Sequence, residues 1–125
     1  MKNPTMKVLV VEPGKAPEVR EIGSELEAMQ KVVGGYIEAA YPFQDAVAVI
    51  VNEEGKINRL PMNRALRDNS GKVYDVVYGT FFVAAVGEED FESLSEDQLK
   101  LYAKRFATPE MFLNLGGQLL VLPLE

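Results

Sequence analysis

Apolar runs separated by turn-forming segments are the clearest pattern in this chain, and they predict strands. The runs Met6–Val11 (MKVLVV) and Ala46–Val51 (AVAVIV) are rich in β-branched residues, which favour buried strands. A third run, Val73–Val86, is long for one straight strand, and Gly79 predicts a bend or bulge that divides it. Shorter segments predict further strands at Glu18–Ile22, Tyr36–Tyr41 and Lys56–Leu60, the last as the second arm of a hairpin.

Two helices are predicted from capping signals and from apolar residues at helical spacing. Each begins with a capping box, in which a serine and the residue three positions later satisfy two backbone donors: Ser24 with Glu27, and Ser95 with Gln98. Gly34 is suited to ending the first helix in a left-handed conformation. The second helix runs from about Glu96 to Phe106, and Lys104 and Arg105 lie towards its C-terminal end, where the helix dipole favours cations.

These elements predict one α+β domain over residues 1–125, with a mostly antiparallel sheet of about five to seven strands and two helices packed on it. Strands outnumber helices and neighbour one another, which argues against a parallel βαβ repeat. Thr108 and Pro109 end the second helix or start one more helical turn. The segment Gln118–Leu122 (QLLVL) is a last strand or an apolar tail, and if exposed it would be an association surface for a homo-oligomer.

The segment from Asn52 to Asp68 reverses the local sign of charge in an acidic chain. It carries four basic residues and no acid between Lys56 and Arg67, although the net charge of the chain is −6. After Pro61, the apolar residues Met62, Ala65 and Leu66 are expected to pack, and the polar residues are expected to face solvent. Because the planar guanidinium suits phosphate or carboxylate, this is a candidate surface for an anion or a partner. The alternative is a solvated face paired with neighbouring acids. The candidate residues are Lys56, Arg59, Asn63, Arg64 and Arg67.

Two further patterns offer candidate surfaces. Tyr74 and Tyr78 lie in the most aromatic region, and they could form a stacking platform for a ring if the fold brings a basic groove beside them; otherwise they pack in the core. The stretch Glu88–Asp97 holds six acids and no base, so it is a solvated loop or a surface for a basic partner. The candidate acidic residues are Glu88, Glu89, Asp90 and Glu92. They lack the alternating spacing of a calcium loop, and we expect no metal site.

Composition narrows the classes of function. The chain has no cysteine and no histidine, which excludes disulfides and thiolate metal sites and removes the commonest general base. We expect a cytoplasmic protein, since no apolar run is long enough for a signal peptide core or a membrane span. We also expect no cofactor. The negative charge argues against general binding of nucleic acids. An enzyme would have to use carboxylates, with Glu38 or Asp75 as candidates.

Several phrases, in this order, resemble an uncharacterised family. They are KVLVVEPGKAPEVREI, MQKVVGGYIE, VNEEGKINRLPMNRALRD, YGTFFV and EDFESLSEDQLKLYAKRFATPEMF, and they cover about residues 6–112, with the apolar segment 113–125 outside. The family is carried by Gram-positive gut bacteria, their phages and their conjugative elements. The resemblance implies an accessory protein of mobile elements and implies no catalytic residue.

Residues and resemblance together favour a non-enzymatic binding protein. It would act by stoichiometric binding of a host protein or of a small anionic ligand such as a nucleotide signal, as counter-defence proteins do. The alternatives are a structural or oligomeric adaptor without a small ligand and, less favoured, a carboxylate-dependent enzyme.

Overall fold

The computed structural model describes residues 4–124, which form ten strands and two helices. The helices are α1 (Leu26–Val33) and α2 (Glu96–Arg105). The strands are β1 (Thr5–Val11), β2 (Glu18–Gly23), β3 (Ile37–Ala40), β4 (Val47–Asn52), β5 (Met62–Arg67), β6 (Val73–Tyr78), β7 (Phe81–Val86), β8 (Phe91–Glu92), β9 (Glu110–Leu115) and β10 (Gln118–Pro123).

A six-stranded antiparallel sheet forms the centre of the protein. Its strand order is β2-β1-β7-β4-β3, and the short β8 pairs with β7. The predicted α+β class is confirmed. The described residues hold more strands than predicted, because β5, β8 and β9 were not expected. The hairpins β5–β6 and β9–β10 form two two-stranded sheets apart from the central one.

The inner strands β1, β4 and β7 carry long buried apolar runs because the sheet is covered on both faces. Since successive side chains of a strand point to opposite faces, Val8 and Val10 of β1 pack in one core, and Leu9 and Val11 pack in the other. The first core includes residues of α1, and the second includes residues of α2, β5 and β6. The hairpin β5–β6 is thereby held on the same face of the sheet as α2.

The prediction of a strand at Lys56–Leu60 is wrong. The amide of Asn58 donates to the carbonyl of Glu54 over 2.9 Å and that of Leu60 donates to Gly55 over 3.0 Å, so the segment turns tightly. The physical reason lies in the central sheet, where β4 pairs with β3 on one edge and with β7 on the other. No edge of β4 is left for a hairpin partner, and the sequence cannot show this.

The two predicted capping boxes have different outcomes. Ser95 accepts a hydrogen bond from the amide of Gln98, and the side chain of Gln98 accepts from the amide of Ser95, which confirms the second box. The first is wrong, because α1 begins after Glu25 and has no side-chain capping bond. Gly34 ends α1 in the left-handed conformation, as predicted.

Two outcomes concern how apolar segments are divided. Gly79, with a φ of 85°, separates β6 from β7, and the two strands enter different sheets, which confirms the predicted break. After α2 the chain forms no further helical turn, because Glu110 begins the hairpin β9–β10. The predicted last strand, Gln118–Leu122, lies within β10.

Neither helix of the described chain has the length and apolar character that crossing a membrane requires.

Candidate functional site

Asn63 and Arg64 of β5 are buried, so the prediction that they face solvent is wrong. The register between β5 and β6 shifts between Met62 and Arg64, which leaves Asn63 as an inserted residue. The amide nitrogen of Asn63 donates to the carbonyl of Val11 over 2.9 Å and to that of Gly79 over 2.8 Å. This side chain therefore joins β5 to β1 and to the β6–β7 bend rather than to a ligand.

The guanidinium of Arg64 joins three segments that are distant in sequence. It donates two hydrogen bonds to the carbonyl of Phe106, from Nε over 3.2 Å and from Nη2 over 3.0 Å. Nη2 also donates to the carbonyl of Lys15 over 2.6 Å, and Nη1 donates to the two oxygens of Asn63. These five bonds equal the number of N–H groups in a guanidinium. Arg64 thus has no donor left for a ligand.

The charge of Arg64 is still felt locally, because all five acceptors are neutral oxygens. Burial lowers the pKa of Arg64, and the carboxylate of Glu110 opposes that shift. An arginine nevertheless remains protonated at any physiological pH. The fold therefore holds a permanent positive charge at the end of α2.

Glu110 connects the C-terminal hairpin to β5. Its Oε2 accepts from Nη2 of Arg67 over 2.7 Å, and its Oε1 accepts from the amide of Ala65 over 2.8 Å. The carboxylate side chain is only 11% exposed, so this ion pair is better shielded from solvent than an ordinary surface pair. Both carboxylate oxygens are used, and β9 is fixed against β5.

A basic cleft of about 350 Å³ lies between β5, the end of α2 and the start of β9. Its lining contains four cationic side chains and one carboxylate in a protein whose net charge is −6. The guanidinium of Arg105 lies 4.6 Å from the centre of the Phe43 ring, in cation–π geometry. The lining residues are Phe43, Arg64, Ala65, Leu66, Arg67, Lys104, Arg105, Phe106, Thr108, Glu110 and Pro123.

A second depression, here called the tyrosine groove, lies between β6 and β10. It measures about 650 Å³ and is lined by Lys56, Arg67, Gly71, Val73, Tyr74, Asp75, Val76, Tyr78, Leu119, Leu120 and Val121. Nζ of Lys56 donates to Oδ1 of Asp75 over 2.8 Å and lies 5.9 Å from the centre of the Tyr78 ring. The hydrogen bond to Asp75 raises the pKa of Lys56. The fold thus places a lysine beside Tyr78, and it places both predicted tyrosines in one groove with Lys56 and Arg67.

The predicted candidate residues are distributed over different places. Arg67 lines both the basic cleft and the tyrosine groove, whereas Lys56 lines only the groove. Arg59 is exposed in the turn after β4, has a φ of 54° and lines neither. Glu38, on β3, contributes a minor electrostatic effect on Lys56, whose main partner is Asp75.

Lys104 and Arg105 are the site residues that the sequence reasoning missed. Their position in the last turn of α2 was fully explained by the helix dipole, so nothing singled them out for binding. The available signal was the basic pair itself, which ends five positions before Glu110, the acid that starts β9. Only the fold shows that this pair and Arg67 face one cleft.

The acidic candidate residues line neither the basic cleft nor the tyrosine groove. Glu88, Glu89, Asp90 and Glu92 are exposed in and around the turn between β7 and β8. Among residues 4–124, no three carboxylates come together in a way that could hold a metal ion. Binding of a basic partner by this stretch stays a prediction.

Fold and clefts together define a small α+β domain with a basic cleft that adjoins an aromatic groove. The family described as a domain of unknown function, DUF3846, matches residues 6–107, and the chain belongs to this family. No curated protein and no solved structure matches the chain. The match includes Arg64, Arg67, Lys104 and Arg105, but it ends before Glu110 and the hairpin β9–β10.

Proposed function

We propose that the protein is a non-enzymatic binding protein that holds a small phosphorylated anion in the basic cleft. The observation that carries the proposal is the local excess of cations in an acidic protein, with four cationic side chains and one carboxylate around a single cleft. The side chains of Lys104 and Arg105 are exposed, and within residues 4–124 neither side chain forms a hydrogen bond or an ion pair, although Arg105 also lies over the ring of Phe43. Their donors are available to phosphate oxygens.

The division of work within the cleft follows from the hydrogen bonds. Arg64 supplies a fixed charge without a free donor, and Arg67 is already paired with Glu110. Direct contacts with the ligand would therefore come from Lys104 and Arg105, with Thr108 as a hydroxyl donor at the rim. In the mobile-element setting that the resemblance implies, binding would be stoichiometric capture of a host signal, such as a nucleotide, rather than its turnover.

Calorimetric titration with inorganic tripolyphosphate tests this proposal. Lys104→Ala combined with Arg105→Ala should weaken binding by more than about tenfold, since two charge-assisted contacts are lost. Lys100→Ala is the matched control, because Lys100 is an exposed lysine of the same helix outside the cleft. Wild-type protein that binds no tripolyphosphate, or a double variant with unchanged affinity, would contradict the proposal. Hydrolysis of the ligand that Glu38→Gln abolishes would replace binding with catalysis.

A second candidate function, that of an oligomeric adaptor, is favoured by the exposed hairpin β9–β10. Residues 111–124 carry no charged side chain, and Leu115 and Leu124 are 60% and 45% exposed. Two copies of an acidic protein repel each other least across an uncharged apolar surface, so the partner proposed for this hairpin is a second copy.

Light scattering on a sizing column distinguishes the adaptor from a monomeric binding protein. If the adaptor account holds, the wild-type protein is a dimer and Leu115→Lys converts it to a monomer, because a charge then enters the apolar interface. Leu101→Lys, at an exposed leucine of α2 outside the hairpin, should leave the dimer intact. A wild-type protein that stays monomeric at every concentration contradicts this candidate.

A further inference from the structure

The tyrosine groove has the features of a site for a planar ring. Tyr74 is 55% exposed although it is a large aromatic residue on a strand, and it lines the groove together with Tyr78. Leu119, Leu120 and Val121 of β10 contribute apolar side chains to the same lining. Aromatic and aliphatic side chains together can enclose both faces of a ring, and stacking on tyrosine tolerates any base.

The polar groups of the groove could bind the edge of such a ring. Oδ1 of Asp75 accepts from Lys56 over 2.8 Å and from the amide of Val76 over 2.8 Å. Both hydrogen bonds that Asp75 accepts from described residues thus end on Oδ1. Its other oxygen, Oδ2, is left to accept from an amino group on a ring.

Arg67 connects this groove to the basic cleft. It lines both, and its guanidinium is fixed by Glu110. The hairpin β9–β10 continues the connection, since Glu110 and Pro123 line the cleft, and Leu119–Val121 line the groove further along β10. The two depressions are therefore neighbours along one hairpin, with a cation between them.

We propose that the two depressions form one composite site for a nucleotide, with its phosphates in the basic cleft and its base on Tyr74 and Tyr78 in the tyrosine groove. This inference rests on the proposed function and adds the base as a second recognition element. It also assigns Arg67 a place beside the sugar and the first phosphate. Since the apolar wall comes from β10, the hairpin outside the family match contributes directly to recognition.

Calorimetry with two probes, adenosine triphosphate and inorganic tripolyphosphate, separates the two parts of the site. Wild-type protein should bind the nucleotide about tenfold more tightly than tripolyphosphate, because stacking adds to the phosphate contacts. Tyr74→Ala should remove that advantage and leave tripolyphosphate affinity unchanged. Tyr74→Phe should keep the tighter binding of the nucleotide, since the ring that stacks is still present. Tyr36→Ala, at a tyrosine that is 65% exposed and outside the groove, is the matched control.

The outcomes distinguish this inference from the proposal on which it rests. If both probes bind equally, or if Tyr74→Ala leaves nucleotide affinity unchanged, the composite site is wrong and the anion cleft stands. If neither probe binds, the anion cleft fails and the composite site fails with it. Loss of nucleotide binding in Tyr36→Ala as well would place the base elsewhere and would also overturn the inference.

Discussion

At the scale of single residues, Asn63 and Arg64 show that polar side chains can organise the interior of this domain. Arg64 is 1% exposed, and its donors end on carbonyls of the β1–β2 turn and of the end of α2. A buried charge is costly unless its hydrogen bonds are satisfied, and here they all are. Arg64 thus positions the helix end that presents Lys104 and Arg105.

Replacing Arg64 should therefore lower the free energy of unfolding more than replacing any exposed arginine does. We expect Arg64→Met to lower the free energy of unfolding by about 3 kcal/mol, because buried carbonyls lose their donors. Arg64→Lys should lose less but still measurably, since an ammonium has fewer donors than a guanidinium. Urea titration followed by circular dichroism measures both. A loss below about 1 kcal/mol for Arg64→Met, similar to that of Arg59→Met in the exposed turn, would contradict this role.

At the scale of elements, the strands and helix caps that could be predicted from the sequence are those fixed by contacts between residues close together in the chain. The strands β1, β4 and β7 were predictable because their runs are apolar on both faces, and the cap at Ser95 was predictable because it lies within one turn. The strand at Lys56–Leu60 failed because the edges of β4 were already paired. The burial of Asn63 and Arg64 depends on a register shift in β5, and no short-range sequence pattern predicts that shift.

The candidate site was predictable only in part for the same reason. Arg67, Tyr74 and Tyr78 were identified from charge and aromatic content, and the fold brings them into one groove. Lys104 and Arg105 come from an element far along the chain, and their convergence with Arg67 depends on how α2 packs on the sheet. Proximity of this kind cannot be read from one sequence.

The attachment of α2 to the start of β4 gives a pH-dependent prediction. The hydroxyl of Tyr102 donates to Oδ2 of Asp45 over 3.0 Å. Burial and this hydrogen bond raise the pKa of Tyr102 from its ordinary value of 10.0 to about 12. Because the pKa of Tyr102 is higher in the folded than in the unfolded protein, this hydrogen bond contributes fully to the free energy of unfolding below pH 10. The contribution is lost as the pH rises from about 10 to about 12.

Tyr102→Phe isolates this contribution. At neutral pH the variant should be less stable than the wild type by about 1 kcal/mol, the usual net value of one hydrogen bond. The difference should shrink as the pH is raised from 10 to 12, because only the wild type has this tyrosine to ionise. Urea unfolding of both proteins at several pH values measures it. A difference that stays constant up to pH 12 would contradict the assignment.

At the scale of the whole molecule, the distribution of charge matters more than its sum. The net charge of −6 disfavours anionic ligands in general, yet cations from β5 and α2 converge on one cleft, and the acidic stretch around β8 lines neither depression. The family match provides the scaffold of that cleft, and the hairpin after residue 107 provides Glu110 and the apolar wall of the groove.

Binding of a phosphorylated anion at the end of α2 can be located by titrating the assigned ¹⁵N–¹H spectrum with tripolyphosphate. We expect shifts to concentrate on backbone amides of the cleft, at Ala65, Arg67, Arg105 and Thr108. Amides of the exposed turn around Arg59 should stay in place. Shifts centred on that turn, or a spectrum unchanged at saturating tripolyphosphate, would show that the anion does not bind in the cleft.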